Sequence, residues 1–190
     1  ITKNKVFIVA PDRVLSAIDL KTGHTIFRTR QNYVRESIGI SEDSITIYVK
    51  SMYDSVFAYN IVGDSILLKW SNDLKYGYDF APSYPIEKKG NLFFGIKNGY
   101  VFSLNSKTGL LNWKYRVSDC LVNNILPLNS NSIVVTSLNG KVYKLIEKRW
   151  NLSLVSLNLL VVFYLEKCFK RKIKREIFYE TGINCWLCCF

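Results

Sequence analysis

"NGYVFSLNSKTGLLNWKYRV", residues 98–117, decides the fold. It opens on an Asn-Gly pair, which supplies the positive φ that a two-residue hairpin turn needs. Alternating large and small residues follow, then Lys107-Thr108-Gly109, then Trp113 four residues past the glycine. The same order recurs. "RVLSAIDLKTGHTIFRTR" (13–30) places Gly23 at the position of Gly109 and Phe27 at that of Trp113. "SVFAYNIVGDSILLKWSN" (55–72) carries a longer turn, with Asn60 matching Asp19 and Asn105, and Trp70 matching the later ring. "NGKVYKLIEKRW" (139–150) begins a fourth copy. The steps from Ile18 to Tyr59, Leu104 and Leu145 are 41, 45 and 41 residues. A near-constant period of this length marks a repeat architecture, and it is the length of a four-stranded propeller blade.

The runs between turns read as strands. They fall into groups: 5–10, 13–20 and 25–31; then 36–40, 44–51, 55–61 and 67–72; then 83–87, 91–98, 99–106 and 110–117. The fourth group holds 121–128, 132–139 and 140–147, with no clear last strand. No segment before residue 150 keeps a helical period. The expected fold is therefore all-β: a partial β-propeller of about three and a half four-stranded antiparallel blades, spanning residues 1–148.

Ala17, Ala58 and Ser103 are small residues among large ones. They let neighbouring sheets approach, while Phe27, Trp70 and Trp113 cover the gap to the next blade. Asp19, Asn60 and Asn105 recur at one blade position, which favours turn capping over a unique ligand role. Gly23 and Gly109 relieve left-handed turn positions.

Together these residues resemble the tryptophan-docking repeat of PQQ-like β-propellers. The pattern reads Ala17, Asp19, Thr22, Gly23, Phe27, and again Ser103, Asn105, Thr108, Gly109, Trp113. The resemblance spans residues 5–147. It implies several kinds of relative. Quinoprotein dehydrogenases hold pyrroloquinoline quinone and calcium in such a fold. Other members bind no cofactor and serve as scaffolds, among them a propeller lipoprotein of the bacterial outer-membrane assembly machine. Others are fused to a calcineurin-like metallophosphatase, which the stretch "YGYDFAPSYPIEKKGNLFFGIKNG" resembles.

The residues argue against chemistry within the chain. A quinone site needs clustered Asp, Glu and Asn on inner strands, and none stands out. The adjacent pair Cys188-Cys189 resembles the quinoprotein disulfide but lies outside the repeats. A metallophosphatase needs several His and Asp residues; the chain has one histidine, His24, and no Asp after Asp119. Cys185-x-x-Cys188 has redox or zinc spacing but no partner pair. No catalytic, cofactor or metal residue is assigned. The expected function is a non-catalytic binding or scaffold module of a bacterial envelope protein. The alternative is a piece of a quinoprotein dehydrogenase or of a metallophosphatase whose catalytic domain lies elsewhere.

Net charge is +11, with 20 basic and 12 acidic residues in 1–150. The basic residues there are scattered, which fits solvated strand faces better than a nucleic-acid surface. The expected partner is a protein, or more of a longer chain. The chain begins at Ile1 with no Met and no signal pattern, and reads as a fragment or processed product. The near absence of cysteine from the repeats suits either cytoplasm or periplasm, and the resemblance favours the periplasm or envelope.

Residues 149–190 change character, with one Gly, no Pro and no Asp. "LVSLNLLVVFYL" is too short for a spanning helix, which needs roughly 20 apolar residues. A membrane-surface helix is a second reading. A non-native tail, replacing the true end of the blade, is preferred because the break falls inside a structural unit rather than at a linker.

Overall fold

The computed structural model describes the backbone of residues 1–9, 14–30, 34–129, 131–148, 151–158, 161–166 and 174–178, and the side chains of 1–9, 14–29, 37–129 and 131–147. The described chain is all-β, with four antiparallel sheets. The first holds β1 (Lys5–Val9), β2 (Val14–Asp19) and β3 (Thr25–Arg30). The second holds β4 (Val34–Ile40), β5 (Thr46–Ser51), β6 (Tyr53–Val62) and β7 (Ser65–Tyr78). The third holds β8 (Ile86–Lys88), β9 (Asn91–Gly95), β10 (Tyr100–Asn105) and β11 (Leu111–Arg116). The fourth runs β12 (Val122–Pro127), β13 (Ser132–Ser137), β14 (Val142–Lys148), β15 (Asn151–Asn158), β16 (Val161–Glu166) and β17 (Lys174–Phe178).

The registers show that the sheets repeat. Lys5 pairs with Asp19, Thr46 with Asn60, and Asn91 with Asn105. So β1, β5 and β9 are equivalent strands, and among the described residues no strand pairs with β1 on the side away from β2. The inner strands touch in order: β1 meets β4, β4 meets β8, and β12 meets β8 and β9. Inner strands of the middle sheets stacked this way are buried on both faces. All six residues of β5 are buried, although Lys50 is among them.

A core cluster fills each gap between sheets. Phe7, Val9, Leu15 and Ala17 meet Ile47, Val49 and Tyr59 between the first two. Tyr48, Val56 and Ala58 meet Leu92, Phe94, Phe102 and Leu104 in the next gap. Phe93 and Val101 meet Val122, Ile125, Ile133, Val135 and Leu145 in the third. Phe7, Tyr48 and Phe93 hold the same register position, and each faces the following sheet. Each such side chain stabilises by about 1.5–3 kcal/mol relative to an exposed one, so the gaps hold the sheets together more than the ladders do.

Three strands differ from the sequence reading. β7 runs on to Tyr78 because, past an irregularity, Asp73 and Tyr78 pair with Ser55 and Tyr53. β8 starts late, since Pro85 has no N–H to give a ladder. The fourth sheet does have a strand after β14: Asn151 to Leu157 pair with Lys148 to Val142. β16 and β17 then extend that sheet to six strands. An open edge is a template for further pairing, and "NLSLVSLN" alternates with the period a strand needs. No helix among the described residues is long and apolar enough to cross a membrane. Cys168, Cys185, Cys188 and Cys189 lie outside the described residues.

Candidate functional site: the turn face

The repeat positions fix how each sheet docks on the next. Ala17 lies directly across from Phe27, Ala58 from Trp70, and Ser103 from Trp113. In all three sheets a bulge follows at the next residue. The small residue leaves room and the bulge turns the ring toward the next sheet. Trp70 donates its Nε1–H to the carbonyl of Ser106 at 3.0 Å. Its ring lies so close to Gly109 that a Cβ there would sit 2.5 Å from Cε3. Asn72 Nδ2 donates to the Gly109 carbonyl at 2.7 Å. Trp113 packs against Phe93, 6.0 Å between centroids. Its buried Nε1 has no hydrogen-bond partner among the described residues. Phe27 packs on Phe7 at 6.3 Å.

The three Asp or Asn positions divide. Asp19 Oδ1 accepts from the Lys21 and Thr22 amides and the Thr22 hydroxyl, at 3.0, 2.7 and 2.8 Å. Those bonds from Thr22 hold its carboxyl below the usual range. Asn105 Oδ1 accepts from the Lys107 and Thr108 amides at 3.0 and 3.1 Å. Asn60 does something else: its Oδ1 accepts from the Thr46 hydroxyl at 3.2 Å, across the sheet. The strands run on past Asn60, Ile61 pairing with Ile66 and Val62 with Ser65, so no Thr-Gly turn lies beside it to cap. These turns occupy one end of the sheets, where Asp19 and Asn105 are taken up in capping their own turns.

The opposite end carries the β5–β6 turn, the β9–β10 turn and the long connection from β7 to β8. Sequence reasoning assigned no residue here. Lys50 and Asp79 make a buried ion pair, Nζ to Oδ2 at 2.9 Å with both side chains no more than 3% exposed. The contact is charge to charge, because Oδ2 lacks hydrogen-bond alignment. Lys50 Nζ also donates to the carbonyls of Ala81 and Gly95, at 3.1 and 3.0 Å. Asp79 Oδ1 accepts the Lys97 amide at 2.7 Å, and its own amide donates to the Met52 carbonyl at 2.8 Å. Ser83, fully buried, accepts the Gly95 amide at 3.0 Å. The Tyr76 hydroxyl lies 2.7 and 2.8 Å from the carbonyl oxygens of Ser51 and Ser55, and burial pushes its pKa up. The connection is thus pinned at several points to two sheets.

On this pinned base stands an exposed aromatic group. Tyr53, Tyr78, Phe80 and Tyr84 are 41–49% exposed. Tyr53 and Tyr78 are cross-strand partners with centroids 5.4 Å apart, and Phe80 follows Tyr78 at 6.1 Å. Lys97 Nζ lies 5.0 Å from the Tyr78 centroid and 5.6 Å from that of Phe80. Beyond it, the Arg116 guanidinium lies 5.7 Å from the Tyr100 ring and pairs with Asp119 at 2.8 Å. Exposed aromatics gathered beside cations have the composition of an interface core. Among the described residues no group of three or more His, Cys, Asp or Glu could hold a metal ion. His24 sits in an exposed turn between β2 and β3.

No family model matches the chain, and no curated protein matches it. Solved structures do. BamB from Moraxella catarrhalis superposes with a TM-score of 0.64 at 10% identity, covering 87% of this chain and 56% of that one. The computationally designed Ika4 protein gives 0.62 at 16% identity, covering 78% and 88%, and the designed Ika8 protein 0.60 at 13%, covering 87% and 56%. The chain therefore spans about half the length of BamB. What the likeness carries at these identities is the fold, and the fold is that of a β-propeller.

Proposed function

We propose that this chain is a non-catalytic binding module that presents its turn face to a protein partner in a bacterial cell envelope. The observation that supports it is the Tyr53, Tyr78, Phe80 and Lys97 group, exposed on a connection fixed by a buried ion pair. Aromatic side chains carry much of the energy of protein interfaces, and a fixed backbone reduces the entropy cost of binding. At the opposite end Asp19 and Asn105 are engaged in capping their own turns. The scaffold reading and the envelope location both follow the PQQ-like resemblance.

The test places a photo-cross-linking residue at Phe80 in cells of the source organism, with Leu67 on the exposed face of β7 as control. A discrete adduct at Phe80 and none at Leu67 is expected. No adduct at Phe80, or the same adducts at both, would refute the proposal. Saturable binding of pyrroloquinoline quinone with calcium by the purified chain would favour the enzyme reading instead.

A further inference from the structure

Two turns share the pair Asn-Gly and the same backbone. Ile96 donates its amide to the Tyr100 carbonyl at 3.0 Å, and Gly99 to the Ile96 carbonyl at 3.2 Å. Ser137 donates to the Lys141 carbonyl at 3.1 Å, and Gly140 to the Ser137 carbonyl at 3.0 Å. Gly99 and Gly140 have φ of +76° and +77°. Asn98 and Asn139 thus hold the same place in the same turn, one between β9 and β10, the other between β13 and β14.

What packs on the two turns differs. The connection from β11 to β12 crosses the first. Gly99 is buried, and its carbonyl accepts the Val117 amide at 2.9 Å. The Asn98 carbonyl accepts from Arg116 Nε at 3.2 Å. A Cβ on Gly99 would collide with the Ser118 carbonyl oxygen. The second turn is open. Leu138, Asn139 and Gly140 are all exposed, and a Cβ on Gly140 meets nothing within 4 Å. The Leu121 carbonyl accepts the Leu138 amide at 2.9 Å and so holds this turn one residue before the pair. The Asn139 side chain folds back along the turn. Its Oδ1 accepts the Lys141 amide at 3.1 Å, and its Nδ2 donates to the Tyr143 hydroxyl at 3.3 Å. The loop of atoms closed by the Oδ1 bond contains both Asn139 Cγ and the Gly140 nitrogen, which keeps the two near each other. The Lys141 N–H also draws electrons from the side-chain carbonyl and makes Cγ more electrophilic.

We propose that Asn139-Gly140 is a self-modifying site, at which the chain converts an asparagine to aspartate and isoaspartate. Hydroxide takes the Gly140 amide proton, and the nitrogen attacks Asn139 Cγ. The Cγ–Nδ2 bond breaks, and Nδ2 leaves as ammonia with a proton from water, which restores the hydroxide. A succinimide ring remains, and water opens it. Cleavage at Cγ leaves aspartate; cleavage at the Asn139 main-chain carbonyl leaves isoaspartate. Either product puts a new carboxylate on the end of the sheets that carries Tyr78 and Lys97. Isoaspartate also lengthens the main chain by one carbon, which the open turn admits. Ring closure must free the glycine amide and rotate the peptide it belongs to. At Asn98 that also breaks the bonds from Arg116 and Val117, so opening there is rarer by about 10-fold or more. This inference is independent of the turn-face proposal.

Peptide mapping tests it. The purified chain is incubated in mildly alkaline buffer, folded and in urea, then digested and read by mass spectrometry. Conversion is measured from the NH2-to-OH mass change at each asparagine, and isoaspartate from its backbone fragments. Far-UV circular dichroism reports that the sheets are intact in the folded sample. There Asn139 should convert at least ~10-fold faster than Asn98, with isoaspartate among its products. In urea the two rates should converge, because the pair is the same. Asn139→Gln, whose longer side chain closes a larger and slower ring, should stay unconverted while Asn98 keeps its rate. Three results overturn the proposal. One is equal rates in the folded chain. Another is a gap that survives in urea, which assigns it to neighbouring residues and not to the fold. The third is aspartate without isoaspartate, which means direct hydrolysis with no ring.

Discussion

Gly23 and Gly109 offer an internal control for ring docking. Both follow Lys-Thr, and their φ values are +72° and +76°. An alanine at either must hold a left-handed conformation, at a cost of about 1–2 kcal/mol. Their surroundings differ. A Cβ on Gly23 meets nothing within 4 Å, whereas one on Gly109 would lie 2.5 and 2.6 Å from Trp70 Cε3 and Cδ2. The Trp70 ring cannot move away without losing its bond to the Ser106 carbonyl. Overpacking of this kind costs about 1–3 kcal/mol more. Gly23→Ala is therefore expected to destabilise by about 1–2 kcal/mol, and Gly109→Ala by about 2–5. Urea denaturation followed by Trp fluorescence measures both. In a Trp70→Leu background the excess at Gly109 should vanish, with a coupling of about 0.5–3 kcal/mol between the two sites. Equal losses for Gly23→Ala and Gly109→Ala, or no coupling, would refute the docking argument.

Other perturbations probe the turn face and the core. Lys50→Met leaves the Asp79 carboxylate buried without its cation and should cost about 3–5 kcal/mol; Lys50→Met with Asp79→Asn should recover part of it in the same urea assay. Tyr78→Ser and Phe80→Ser remove partly exposed rings, so each should cost only about 0.2–1 kcal/mol, and Tyr78→Ser should abolish the adduct formed from the cross-linker at Phe80. Alkali should weaken the fold. Burial raises the pKa of Tyr48, Tyr59, Tyr76 and Tyr115, with Tyr59 pushed up to about 12. The unfolded chain releases those protons near the ordinary value of 10 and the folded chain does not. Stability from these groups is thus full below pH 10 and declines as pH rises toward the folded values. Urea midpoints should fall between pH 9 and 11, with tyrosinate absorbance appearing as the chain unfolds; a flat profile contradicts the burial argument.

The period, the turns and the docking rings were legible in the sequence because each is local or repeated. Asn98-Gly99 and Lys107-Thr108-Gly109 act within a few residues, and Ala17, Ala58 and Ser103 announce themselves only by recurrence. The alternation in "NLSLVSLN" also carried a strand signal, but it was hidden by the loss of the blade pattern around it. Asn60 shows the limit of matching by position: its place in the repeat is that of Asp19, yet the strands continue past it and its partner is Thr46 across the sheet.

The turn face was not legible. Tyr53, Tyr78, Phe80 and Lys97 come from two strand ends, a connection and a turn, and no motif links them. Lys50 and Asp79 read as ordinary surface charges until two sheets and a crossing connection close over them. Sequence alone determined the blade, since its strands and turns are set by side-chain alternation and backbone preference over a few residues. Tertiary structure alone decided which side chains from distant strands gather at each end of the sheets. Those depend on how one sheet stacks on the next, and that stacking is fixed by core contacts between residues far apart in the sequence, such as Tyr48 with Leu92 and Phe94.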